Sequence, residues 1–294
     1  MIILFFRDGD LGNQLFQYAA MRRYDPEALI ISVGLEELDS AFAPERLWNL
    51  SPHKHILRTA IFKYFTRFFD FLITKFRLAR IIEEERHSDG LVFKTTNGFL
   101  QGLCYFRSGF YQSDISVANS PIEAIQIRPE IIHAAESFLD NLNVEPLDRF
   151  FVHIRRGDYT RWPSLDQPSS LPLGWYLRQM EEILCSHPTA SFIIVTNDLP
   201  YALEFFSHRS RCFISRESGA VDLAIMSLCA GGGILSASSY SWWGAFLSKR
   251  RNSSAHFIAP LYWLGARTKE WAPSLIRTPW LSYARVILPE AYPE

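Results

Sequence analysis

The sequence predicts an α/β fold in two domains, and three observations carry that expectation. The chain has 294 residues, which suits two domains of about 150 residues each. It opens on an apolar run that gives way to a polar, glycine-bearing loop and then to a helical pattern. From residue 150 onward, short apolar runs alternate with helix-spaced ones, as in a parallel, doubly wound sheet.

Residues 2–6 read as a buried strand, 7–12 as a loop, and 13–23 as a helix with Leu15, Ala19 and Arg22 on one face. Such a turn aims backbone N–H groups and the positive end of the helix at whatever lies above the strand, which suits an anionic or polar ligand. Residues 55–82 form a long basic and aromatic helical segment. In it Leu57, Ile61, Phe65, Phe68, Leu72 and Phe76 fall at helical spacing, with Arg58, Lys63, Arg67, Lys75 and Arg77 between them. That segment either lies on a membrane surface or docks on the first domain with its cations in water.

Residues 129–142 read as a further helix, and Asn143-Val144-Glu145-Pro146 carries the turn chemistry of a linker. The expected domains are therefore 1–145 and 146–294. In the second, strands are expected at 150–154, 191–196, 212–214, 234–235 and 257–259, with helices at 175–186, 201–206, 221–229 and 240–249 between them. Ligands of such sheets sit at the carboxyl ends of the strands, and the polar motifs fall there.

Composition excludes several classes. Thirty Lys and Arg against 31 Asp and Glu leave a net charge of −1, so nothing draws the chain as a whole to nucleic acid or acidic lipid, and any anion site is local. Cys104, Cys185, Cys212 and Cys229 form no C-x-x-C pair, which suggests neither a zinc knuckle nor a disulfide framework and fits a reducing compartment. The opening apolar run is too short for a signal peptide or anchor. A cytoplasmic protein, with at most peripheral membrane contact, is expected.

Four motifs carry chemistry. His153-Ile154-Arg155-Arg156-Gly157-Asp158-Tyr159 follows directly from a strand. Arginine is permanently charged and offers a rigid fork of donors, so this pair either clamps an anion such as a diphosphate or pairs with Asp158 and other carboxylates. Ser236-Ala237-Ser238-Ser239-Tyr240-Ser241-Trp242-Trp243-Gly244 opens a helix, and its hydroxyls either cap that helix or join its N–H groups on phosphate. Trp242 and Trp243 are then either core or sugar-facing. Thr196-Asn197-Asp198 ends a strand and is a turn or part of a site. Asp222 lies near the start of an apolar helix, where it complements the helix dipole or reads a ligand.

With Gly12-Asn13-Gln14-Leu15-Phe16-Gln17-Tyr18-Ala19, Phe110-Tyr111-Gln112-Ser113 and Ile258-Ala259-Pro260, these motifs stand in the order seen in the bacterial-type galactoside α-1,2-fucosyltransferases, and the chain resembles that family over nearly its whole length. The resemblance implies a GT-B fold, with two Rossmann-like domains facing a central cleft. The second domain would bind GDP-fucose and the first mainly a β-galactoside acceptor. It also implies inverting transfer of fucose to the 2-hydroxyl of a terminal galactose.

By the same likeness Arg155 would hold the β-phosphate, His153 and Asp222 the guanine, and Asp198 would lie near the nucleoside. The hydroxyls of Ser238, Ser239 and Ser241 would bind phosphate, with Arg156 and Asn197 completing the donor side. Asn13 would sit near the transferred sugar with Gly12, Gln14 and Trp242 on the acceptor side. Arg155, Asn13 and Asp158 form the catalytic set.

Where the family usually carries glycine this chain has Asp10, so that Asp8-Gly9-Asp10 spells the D-x-D pattern by which some glycosyltransferases hold a divalent ion. No cofactor and no metal are expected. The motif lies in the domain that does not bind the diphosphate, and the arginine pair supplies the neutralising charge. The general base is left open among Asp8, Asp10, Asp158 and Asp166. Two rival readings are a related transferase with another donor or acceptor, and a nucleotide-sugar or glycan-binding protein without turnover. The intact arginine motif argues against the latter, because a binder needs no extra charge at a leaving group.

Overall fold

The computed structural model describes residues 1–7, 9–50, 60–87, 90–121 and 125–287. Two compact units divide between Arg128 and Pro129, so the boundary expected at 145/146 falls earlier. Physically, the helix that follows Arg128 packs on a helix of the second unit, and the linker chemistry at 143–146 marks a turn inside that unit.

In the first unit, β1 (Ile2–Phe6), β2 (Leu29–Val33), β3 (Leu47–Leu50), β4 (Arg80–His87), β5 (Gly90–Thr96) and β6 (Leu103–Phe106) form one sheet of order β3-β2-β1-β6-β4-β5. All neighbours are parallel except the β4–β5 hairpin at the edge. The helix expected at 13–23 is α1 (Leu11–Tyr24), which buries Leu15, Phe16, Tyr18, Ala19 and Met21. Asp10 precedes it without capping it through its side chain. Instead Glu37, from α2 (Glu36–Ala41), accepts a 2.6 Å hydrogen bond from the Leu11 N–H and places a carboxylate at the positive helix end.

The long helix is shorter than expected. It is described as α3 (Ala60–Phe76), and the 55–59 part of the expectation lies outside the described residues. Arg77 adopts a left-handed backbone conformation (φ 48°) and ends it, after which Arg80, Ile81 and Ile82 pair with β6 rather than continuing the helix. The short helix α4 (Asp114–Ala118) is capped by Ser113.

The second unit begins with α5 (Pro129–Asp140) and contains β7 (Arg149–Ile154), α6 (Leu173–Ser186), β8 (Ser191–Thr196), α7 (Leu199–Phe206), β9 (Cys212–Ile214), α8 (Gly219–Leu228), β10 (Gly232–Ile234), α9 (Ser239–Arg251), β11 (His256–Pro260) and β12 (Ser282–Ala284). Its six strands are all parallel, in the order β9-β8-β7-β10-β11-β12. The chain starts at the middle strand, builds outward to β9, then returns beside β7 and builds the other way. That is the strand order of a doubly wound dinucleotide-binding fold, with its reversal between β7 and β10. Phe150, Val152, Phe192, Ile194 and Ile234 of the sheet bury against Trp175, Tyr176 and Ile183 of α6, which fixes the strand ends that carry the motifs.

Candidate active site

In open α/β sheets a crevice forms above the carboxyl ends of the two strands where the order reverses. Here those strands are β7 and β10, and they present His153 and Ser236. His153 Nδ1 and Ser236 Oγ lie 2.7 Å apart, both buried. Burial, helped by the Arg155 charge, pushes the imidazole pKa down to about 3, so the ring is neutral at physiological pH. The ring centre of Tyr240 is 5.4 Å from that of His153, and the Tyr240 hydroxyl donates to the Gly219 carbonyl at 2.5 Å. The first turns of α8 and α9 are thereby tied to the end of β7.

The two arginines divide their roles. Arg156 is held by its own unit. Its guanidinium carbon lies 3.9 Å from the Tyr201 ring centre, its Nε donates to Asp198 at 3.1 Å, and its backbone N–H donates to Asn197 Oδ1 at 2.8 Å. Asp198 also caps α7 through the Tyr201 N–H. Arg156, Asn197 and Asp198, expected on the donor, therefore use these groups to brace the arginine loop. Gly157 is required there, since it has φ +42° and an added Cβ would come within 2.5 Å of Asn197 Nδ2.

Arg155 is different. Its Nε is buried without a hydrogen-bond partner among the described residues, while one terminal nitrogen donates to Asp158 at 2.7 Å. The guanidinium lies over Tyr159, 5.2 Å from the ring centre, and the Tyr159 hydroxyl donates to the Ala237 carbonyl at 3.0 Å. Burial holds the Tyr159 pKa up at about 12, so the phenol keeps that proton. Asp158 is 60% exposed, and a pair so exposed contributes about 0–1 kcal/mol, little enough for an incoming anion to displace it.

In the serine loop, Ser238 caps α9 by accepting from the Tyr240 N–H at 3.3 Å. Fully buried Ser241 donates to the carbonyls of Ser236 and Ser238 at 3.1 Å, so its hydroxyl shapes the loop. Ser239, half-buried at the first helical position, is the serine of this loop best placed to meet an anion at the helix end. Trp242, expected on the acceptor side, is core. It is fully buried, stacks on Phe246 with ring centres 5.2 Å apart, and donates from Nε1 to Thr278 Oγ1 at 2.8 Å.

Asp222 is buried, and one of its oxygens accepts from the Ser215 hydroxyl at 2.5 Å. Ser218 caps α8, so Asp222 is not needed there. Burial pushes its carboxyl up to about 7, the Ser215 bond opposes this and Glu217 adds to it.

In the first unit, half-buried Asn13 accepts from Gln112 Nε2 at 2.6 Å, and Gly9, with φ +82°, leaves room for the Asn13 amide. Gln14, expected at the cleft, is instead buried. Its Oε1 accepts from the Leu38 N–H at 3.0 Å and its Nε2 donates to the Gly9 carbonyl at 3.4 Å. Gly12 is likewise buried within α1. Asp8 lies outside the described residues, and among those described no group of three His, Cys, Asp or Glu is arranged to hold a metal. Asp166 sits on an exposed stretch after the arginine loop. Sequence reasoning gave no role to Ser215, Ser236, Tyr201 or Gln112. Of these, Ser236 and Gln112 lay inside motifs already singled out.

Two Rossmann-like units of this kind are the architecture of the GT-B fold. The chain shares its fold with POFUT1 solved in complex with GDP (11% identity, 88% of this chain and 97% of that one, TM-score 0.51). It shares it also with a glycosyl transferase family 9 protein from Veillonella parvula (11% identity, 88% of this chain and 80% of that one, TM-score 0.52). Residues 6–261 match the profile of Glycosyl transferase family 11, and the chain belongs to that family, the fucosyltransferase family its motifs resemble. It is 22% identical to the O-antigen biosynthesis glycosyltransferase WbnK of Escherichia coli, over 89% of this chain and 94% of that one.

Proposed function

We propose that this chain transfers L-fucose from GDP-fucose to the 2-hydroxyl of a terminal β-galactose, with inversion and without a metal ion. The observation that carries the reading is Arg155, a partly exposed guanidinium whose buried Nε has no hydrogen-bond partner among the described residues, at the switch point of a dinucleotide-type sheet. A diphosphate oxygen would give that donor its missing acceptor. The family membership and the fucosyltransferase motifs support fucose as the sugar.

In this reading the acceptor oxygen attacks C1 of fucose from the face opposite the diphosphate. The bond from C1 to the β-phosphate oxygen breaks, and the hydroxyl proton passes to a carboxylate. Arg155 holds the charge that accumulates on the departing GDP, with Ser239 at the helix end beside it. Neutral His153 and the second carboxylate oxygen of Asp222 face the guanine, and Asp158 keeps Arg155 in place until the donor arrives. Asn13, in the other unit, belongs to the acceptor side.

The test is product analysis. The protein is incubated with GDP-fucose and, separately, with other nucleotide sugars, each against a panel of β-galactosides. Products of fucose mass with a 1,2-linkage are expected. Transfer from a different donor, or a different linkage, would replace this reading.

A further inference from the structure

Helix α3 carries two apolar stripes, although the fold uses only one. Phe65, Phe69 and Ile73 recur at helical spacing and meet the sheet, Ile73 buried and Phe65 and Phe69 still 44% and 37% exposed. The ring centres of Phe65 and Phe69 lie 6.3 and 6.0 Å from that of Phe6 on β1, and Ile73 joins the cluster of Phe6, Ala79, Ile81 and Tyr105. This stripe docks the helix.

The opposite stripe runs through Tyr64, Arg67, Phe68, Phe71 and Lys75, again at three- and four-residue spacing. Tyr64, Phe68 and Phe71 are 70%, 56% and 52% exposed. At the C-terminal end, Phe99 and Leu100 are joined to the chain after the helix by backbone bonds from their N–H groups to the carbonyls of Arg77 and Leu78. Phe99 is 82% exposed there, a further aromatic ring at the helix end. Aromatics spaced along one face exceed the scattered apolar residues that an ordinary soluble surface shows.

We infer that this face of α3 is a docking surface for an anionic lipid bilayer, on which the helix lies without crossing. Its chemistry is that of an interfacial helix, with aromatic rings interleaved with cations. Lys75 Nζ sits 5.1 and 5.9 Å from the ring centres of Phe71 and Phe76, so its stem covers apolar surface while its charge stays at the edge, level with lipid phosphates. Arg67, Lys75 and Arg77 are all exposed, and the helix's single acid, Asp70, is already paired with Arg107. The charged residues of the outward stripe, Arg67 and Lys75, are therefore both cations. A two-fold contact between copies would set Arg67 and Lys75 against cations of the same stripe with no acid to answer them, whereas an anionic leaflet complements them. No described helix is long and apolar enough to span a membrane.

Sedimentation of the full chain with vesicles tests this. It is expected to partition onto phosphatidylcholine vesicles containing phosphatidylglycerol, less so at high salt, and weakly onto phosphatidylcholine alone. Arg67→Glu with Lys75→Glu is expected to weaken partitioning by roughly tenfold or more, and Phe68→Gln with Phe71→Gln to abolish it, both with unchanged thermal melts. If the aromatic pair fails to fold, the charge-reversal pair decides alone. Three results would overturn the inference. They are absence of partitioning onto the phosphatidylglycerol vesicles, equal and salt-independent partitioning onto both kinds, and a lipid-free dimer, seen by light scattering, that the same substitutions dissociate.

Discussion

His153 Nδ1 and Ser236 Oγ meet at 2.7 Å across the point where the second sheet reverses its strand order. The contact joins the arginine loop to the serine loop and holds a neutral imidazole inside the site. Its pKa in the folded chain, about 3, lies below the ordinary value, so between these limits the unfolded chain binds more protons. This group therefore adds stability as pH rises from about 3 to about 6.5 and contributes nothing further above that. Nitrogen-detected NMR of His153 at about pH 5, where a free histidine is mostly protonated, is expected to show a neutral ring. A protonated signature there would remove the burial argument.

Asp222 shifts in the opposite direction. A carboxyl raised to about 7 is still partly protonated near neutrality, and the folded chain binds the extra proton. Its contribution to stability is then greatest at low pH and falls as pH rises from about 4 to about 7. A guanine edge requires the ionised form, so GDP affinity is expected to rise with pH through about 7. In Asp222→Asn both slopes are expected to vanish, with the variant's own titration serving as control for the nucleotide phosphates. GDP binding is expected to weaken by roughly 1–3 kcal/mol. Calorimetric titration with a parallel thermal melt measures both, and unchanged affinity in a folded variant would take Asp222 out of the site.

Arg156 is braced by Tyr201, Asp198 and Asn197, which predicts a structural phenotype. Arg156→Ala is expected to leave Asp198 without its cation and cost about 1–3 kcal/mol of stability, while GDP affinity in the folded fraction stays within a few-fold of the parent. Loss of nucleotide binding at unchanged melting temperature would place Arg156 on the ligand instead.

The proposed mechanism has the Arg155 guanidinium supply the positive charge that holds the departing diphosphate, which predicts metal independence. Excess EDTA is expected to leave the transfer rate unchanged. A loss restored by added magnesium or manganese would return Asp8-Gly9-Asp10 to the mechanism.

The arginine motif stood out in the sequence because two permanent charges at a strand end need anionic partners, and the parallel sheet was legible because its apolar runs alternate with helical ones. The division of labour between Arg155 and Arg156 was not, since it depends on Tyr201 and Asp198, more than forty residues along the chain. Trp242 looked as fit for a sugar as for a core. Its placement depends on Thr278, a partner 36 residues away that carries no motif. The periodicity of α3 ran on to residue 82 because Ile81 and Ile82 continue an apolar pattern, while the left-handed turn at Arg77 leaves no mark in composition. Strands β2 to β6 are short or edge-paired, and Glu83-Glu84-Glu85 in β4 breaks the alternation that would announce a strand.

The central claim is that Arg155 clamps the departing diphosphate, and turnover of Arg155→Lys measures it most directly. Lysine keeps the charge but not the fork of donors, and it cannot place an N–H where the buried Nε now lies. With GDP-fucose and a β-galactoside acceptor, kcat is expected to fall by about 100-fold or more at an unchanged melting temperature. A lysine variant that turns over within a few-fold of the parent would contradict the account.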